Sequence, residues 1–179
     1  MKDCFVSLKY TLTTYDELSK ADRALVDAAK TACQTAYAPY SHFGVGAAAL
    51  LSNGVVVCGS NQENAAFPSG MCAERCAVFY ANAQYPEAAV TTLAIAAQNQ
   101  VDAIFLEHPV PPCGACRQVL LETQQRFNEP MRLLLYGTKE VWVIHNIETL
   151  LPFQFSVDSM KSESKHSKTR VNKVEKSIN

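Results

Sequence analysis

Helical and strand-type apolar patterns alternate along this chain, and that alternation limits its fold more than any other feature of the sequence. Leu25, Ala28, Ala29, Ala32 and Ala36 recur at helical spacing behind the capping pattern Ser19-Lys20-Ala21-Asp22, and Pro39 stops the run. This predicts a helix over about 19–37. The runs 45–51 and 55–58 then flank Ser52-Asn53-Gly54, whose Asn-Gly pair predicts a hairpin. Cys76, Phe79, Tyr80 and Ala83 give a second helical stripe beginning near Cys72, and 91–97 reads as a buried strand. A third helix opens at Cys113 along Cys116, Val119, Leu120, Thr123 and Phe127. Strands at 131–136 and 141–144 and a short helix at 146–150 follow, with Pro152 behind them. Such an order predicts an α/β protein whose mostly mixed or parallel sheet carries helices on its faces.

At 179 residues the chain has room for one domain, expected over 19–160. Residues 1–18 alternate weakly through Val6, Leu8, Tyr10 and Leu12, which predicts an N-terminal arm or edge strand. Residues 161–179 hold six Lys or Arg against two Glu and no aromatic side chain, the composition of a disordered basic tail. Without stacking aromatics, that tail argues against nucleic-acid binding. The whole chain has a net charge of −1, so bulk electrostatics points to no partner. No apolar run approaches the roughly 18 residues that cross a bilayer, and the N-terminus lacks an apolar secretory core. A cytoplasmic protein without a membrane partner is expected.

Seven cysteines in a chain of this size suit a reducing compartment, where they serve metal binding or catalysis rather than disulfides. Cys113-Gly114-Ala115-Cys116 has a spacing shared by zinc sites and redox pairs, and spacing alone does not choose between them. Cys72 and Cys113 each fall at a predicted helix start. The free N–H groups there favour thiolate over thiol. Three thiolates from Cys72, Cys113 and Cys116 would hold Zn²⁺ with a fourth position open to water, and Glu74 would be the acid/base beside it. On a regular helix Cys72 and Glu74 lie roughly 200° apart, so both face one cavity only if Cys72 sits at the very start of the helix and reaches over its end. In isolation, Glu74 reads equally well as a carboxylate complementing the helix dipole. Cys76, one turn after Cys72, reads as a small buried thiol, as do Cys33 and Cys58.

The motifs Tyr37-Ala38-Pro39-Tyr40-Ser41 leading to Phe43, Asn61-Gln62-Glu63-Asn64-Ala65, Cys72-Ala73-Glu74-Arg75 and Pro112-Cys113-Gly114-Ala115-Cys116-Arg117 occur in that order. Together they resemble the zinc-dependent deaminases, and more closely the short-chain cytidine deaminases, over about 19–156. The resemblance implies a three-layer α/β/α sandwich with a mixed central sheet, and hydrolysis of cytidine and deoxycytidine to the uridines with release of ammonia. It implies Zn²⁺ on Cys72, Cys113 and Cys116, with Glu74 shuttling the proton. Asn61 and Glu63 would bind the ribose hydroxyls, and Phe43 and Ala73 would line the nucleoside site. Phe155 matches an aromatic that reaches the base from a neighbouring subunit of a homotetramer. Pro111 stands where many relatives have Ser, but the family uses the backbone carbonyl there, which proline retains.

Three thiolates leave a zinc site formally at −1, which weakens the metal as a Lewis acid unless something offsets the charge. The resemblance assigns that task to Arg75, donating to the sulfurs. Two rivals remain at this level. A relative acting on another aminopyrimidine would share every motif. A closed structural zinc site with Cys76 as fourth ligand would leave Glu74 without a task.

Overall fold

The computed structural model describes residue 1 and residues 3–160; the basic tail expected at 161–179 lies outside them. A seven-stranded mixed sheet runs β1-β7-β6-β4-β2-β3, with β5 paired to β4. Its strands are β1 (Thr11–Thr13), β2 (Phe43–Leu51), β3 (Val56–Ser60), β4 (Val90–Asn99), β5 (Ile104–Phe105), β6 (Arg132–Tyr136) and β7 (Val141–Ile144). Helix α1 (Lys20–Ala32) packs on one face, and α2 (Ala73–Gln84) and α3 (Gly114–Phe127) pack on the other. This is the expected α/β/α sandwich. All the pairings are antiparallel except β4 with β6, whose parallel register requires a crossover long enough to hold α3.

Local chemistry explains the boundaries. Ser19 caps α1 by accepting the Asp22 N–H at 3.1 Å. Gly54 turns the β2–β3 hairpin with φ 85°, a left-handed conformation that favours glycine. The edge strand expected near the N-terminus is β1, paired in register with β7, and Tyr10 packs at a tilt against Trp142 with ring centroids 5.5 Å apart.

Several expectations need correction. The first helix is shorter than 19–37: α1 ends at Ala32, and a single 3₁₀ turn over Cys33–Thr35 gives way to extended backbone at Ala36. The buried face of α2 is Ala73, Glu74, Ala77, Val78 and Ala81, whereas Phe79 and Tyr80 point outward at 46% and 58% exposure. The helix approaches β3 so closely that only small side chains fit between them, and the bulky stripe is turned to the surface. Cys76 is half-buried rather than core, and Cys58 is exposed on the edge strand β3, while Cys33 is buried as expected. No helix among the described residues is long and apolar enough to cross a membrane.

Candidate active site

Helices α2 and α3 begin side by side, and each starts at a cysteine. Cys72 is the N-cap of α2 with φ −75° and ψ 152°, and Cys113 is the N-cap of α3 with φ −65° and ψ 165°. Both residues are extended, so neither follows the helical 100° rotation that would turn its side chain away from the next turn. This is how Cys72 and Glu74 come to face one cavity.

The Sγ atoms of Cys72, Cys113 and Cys116 lie within 4.8 Å of one another. The Cys72–Cys113 pair is 3.8 Å apart, close to the roughly 3.8 Å that two sulfurs keep when each sits ~2.3 Å from a tetrahedral zinc ion. The triad therefore fits zinc with a fourth position left over. Cys76 is not in the cluster, so nothing among the described residues closes the site as a fourth thiolate.

Charge within the triad is managed locally. A hydrogen bond from Cys116, helped by the Arg75 guanidinium, holds the Cys72 thiol well below its usual range against the opposing effect of burial. The same shared proton, with burial, pushes Cys116 upward. Arg75 Nη2 donates to Cys72 Sγ at 3.5 Å, as expected of a counter-charge, and its buried Nε has no partner. Glu74 is 5% exposed, and burial raises its carboxyl above the usual carboxylate range.

Cys72, Cys113 and Glu74 form one end of a cleft of about 620 Å³, and Cys116 is buried behind its two companions. Phe43, Asn61, Glu63 and Ala73 line it, as does Pro111. Asn61 is committed before any ligand arrives: its Oδ1 accepts the Val45 N–H at 2.7 Å and its Nδ2 donates to the Phe43 carbonyl at 2.8 Å. That leaves one N–H and one lone pair for a substrate. The Glu63 carboxylate accepts the Ser41 hydroxyl at 2.6 Å and the Tyr40 N–H at 2.9 Å, and these bonds hold it below its ordinary pKa. Phe155 does not line this cleft; it is 60% exposed beyond α3.

The sequence did not single out the Ser41 tether, nor the Tyr40–Phe67 edge-to-face pair beside the cleft, centroids 5.8 Å apart. An aromatic in a short Pro/Ser/Gly loop was the available signal for Phe67. Arg117 was also unassigned. Its Nε donates to the Pro112 carbonyl at 2.9 Å and its Nη1 to the Leu150 carbonyl at 3.1 Å, and the adjacent Gln118 Nε2 donates to the Phe155 carbonyl at 2.9 Å.

Fold and site together define an α/β protein with an open, catalytic-type zinc centre at paired helix starts. Residues 19–127 match the family model described as the cytidine and deoxycytidylate deaminase zinc-binding region. The chain is 46% identical over 98 residues to a cytidine deaminase of Halalkalibacterium halodurans, covering 55% of this chain and 68% of that one. It is 36% identical over 140 residues to one from Mycobacterium tuberculosis, covering 75% and 90%. The crystal structure of cytidine deaminase from Burkholderia pseudomallei superposes with a TM-score of 0.62 at 37% identity, over 77% of this chain and 100% of that one. This chain belongs to the cytidine and deoxycytidylate deaminase family.

Proposed function

We propose that this protein deaminates cytidine and deoxycytidine hydrolytically, yielding uridine or deoxyuridine and ammonia. The observation that carries the reading is the cysteine triad, two of whose members, Cys72 and Cys113, line with Glu74 one end of a cleft whose lining also holds Asn61 and Glu63. The three thiolates hold zinc, which when bound supplies the Lewis acidity that makes a water nucleophilic near neutral pH. Glu74 takes a proton from the attacking water and delivers it to ring N3; it then takes the remaining proton from the new 4-hydroxyl and passes it to the 4-amino group, which leaves as ammonia while the C4 carbonyl forms and N3 keeps its proton. Its burial suits the task, because desolvation raises its pKa and so makes the carboxylate a stronger base toward the water's proton than an exposed one.

Asn61 and Glu63 take the ribose hydroxyls, Phe43 packs on the nucleoside, Ala73 lines the base, and the Pro111 carbonyl faces the leaving amino group. Charge in the cleft favours nucleoside over nucleotide. Its charged lining residues are Glu63, Glu74 and Arg75, and Arg75 is turned onto Cys72. A 5′-phosphate at the ribose end would meet the Glu63 carboxylate and no free cation among the described lining residues.

In this reading the chain is a cytoplasmic homotetramer, and Phe155 covers the base bound by a neighbour. Support comes from the large apolar side chains left outside: Phe79 and Tyr80 on α2, with Phe153 at 96% exposure and Phe155 at 60%. Incubating the zinc-loaded protein with cytidine, deoxycytidine and deoxycytidylate, with ammonia measured, tests the reaction. Both nucleosides should turn over and the nucleotide should not. Protein holding one zinc per chain yet inert toward both nucleosides would refute the reading.

A further inference from the structure

The two halves of the site meet across a residue that has no side chain. Strand β3 ends at Ser60 and leads directly into the loop bearing Asn61 and Glu63, while the first turn of α2 carries Ala73, Glu74 and Arg75 behind Cys72. Between them lies Gly59, paired with Ala47 of β2. A Cβ on Gly59 would stand 2.5 Å from the Ala77 backbone nitrogen, 2.7 Å from the Ala73 carbonyl oxygen and 2.9 Å from Cys76 Cβ. Two of those three atoms are helix backbone, so no rotamer change relieves the overlap.

We propose that Gly59 is a positioning residue for this site: its bare Cα sets the distance between the strand that leads to Asn61 and Glu63 and the helix turn that carries Cys72 and Glu74. Ordinary contact begins near 3.4 Å, so a methyl group here would drive the α2 turn back by about 0.9 Å. Cys113 and Cys116 sit on α3, and no atom of α3 is among the three nearest to that point. Cys72 would therefore move relative to its two companions, and Glu74 would move with it. Metal–ligand distances tolerate only about ±0.2 Å, and a displacement of ~1 Å at reacting groups costs on the order of 10²-fold in rate. The packing that turns the bulky face of α2 outward thus also holds the cysteine triad in register.

The expected loss of turnover rests on the deaminase reading, but metal retention does not. The test compares G59A with V26A, which opens a cavity in the buried contact of α1 on the opposite face of the sheet. Zinc release to a colorimetric chelator, kcat and KM for cytidine, and melting temperature are measured for both variants. G59A should release zinc about 10- to 100-fold faster and lose ~10²-fold in kcat. V26A should keep wild-type zinc release and kcat even at an equal loss of melting temperature. Should G59A fail to fold, C76V, which adds bulk to the Cβ nearest the same point, takes its place under the same criteria. Wild-type zinc release and kcat in the folded wedge variant would overturn the proposal, and so would equally fast zinc release from V26A at matched stability. If the wild-type protein proves inert toward cytidine, the deaminase reading fails and zinc release alone decides this inference.

Discussion

Replacing Phe155 by alanine separates a core aromatic from one that serves a neighbour's site. Full burial of a phenylalanine side chain contributes about 1.5–3 kcal/mol. Phe155 is 60% exposed, so some two-fifths of that, about 1 kcal/mol, is at stake in its own subunit. For a chain of this length the melting temperature should fall by only ~2–4 °C. A core phenylalanine would instead cost ~3–5 kcal/mol and lower it by ~6 °C or more. If the ring stacks on the base in an adjacent subunit, its removal forfeits about 0.5–1.5 kcal/mol of ground-state binding, and KM for cytidine should rise roughly 2- to 12-fold with kcat little changed. Mixing F155A with E74Q sharpens the assay. In mixed oligomers an intact Glu74 meets an intact Phe155 from the neighbouring E74Q chain, so a fraction of sites should regain the low KM. A large fall in melting temperature, an unchanged KM, or a mixture showing only F155A kinetics after verified subunit exchange would refute the shared site.

C113A should bind far less than one zinc per chain by metal analysis and lose turnover in proportion, because two thiolates do not make the open three-ligand centre. E74Q should keep its zinc and bind cytidine normally while kcat falls by at least ~10²–10⁴-fold in steady-state assays, since an amide cannot accept the water's proton. N61A should lose about 1–3 kcal/mol of unfolding free energy in denaturant titration besides raising KM, because it orphans the Val45 N–H and the Phe43 carbonyl. Glu63 has a lowered folded pKa, through the Ser41 hydroxyl and then the Tyr40 N–H. Its tether is complete above the ordinary carboxylate range and is lost as pH falls through the folded value. A pH profile of KM for cytidine should rise on that acid side in the wild type and lack that rise in E63Q.

What could be read from the sequence was mostly local. A cysteine ahead of an apolar helical run gave both N-caps, and Asn53-Gly54 gave the hairpin, because caps and tight turns are decided within a few residues. Periodicity misplaced the buried face of α2 because it weights large apolar residues. Where a helix rests on a bare strand position such as Gly59, small side chains go inward and Phe79 and Tyr80 go outward. Strand β5 has two residues, too few for any period to register. The Glu63–Ser41 bond spans 22 positions and the Arg117–Leu150 bond 33. Neither leaves a periodic trace, so the first appeared only as two separate motifs and the second not at all.

The clasp formed by Arg117 and Gln118 links the C-terminal segment to the cysteine loop through side chains of a single helix. A pull on the chain beyond residue 155 meets Gln118 at the Phe155 carbonyl, then Arg117 at the Leu150 carbonyl, and Arg117 also grips the carbonyl of Pro112, directly before Cys113. Arg117 thus ties the C-terminal segment to the residue directly before Cys113. A chain cut before Leu150 would remove the carbonyl that one arm of Arg117 holds and leave only its bond to Pro112 behind the cysteine loop.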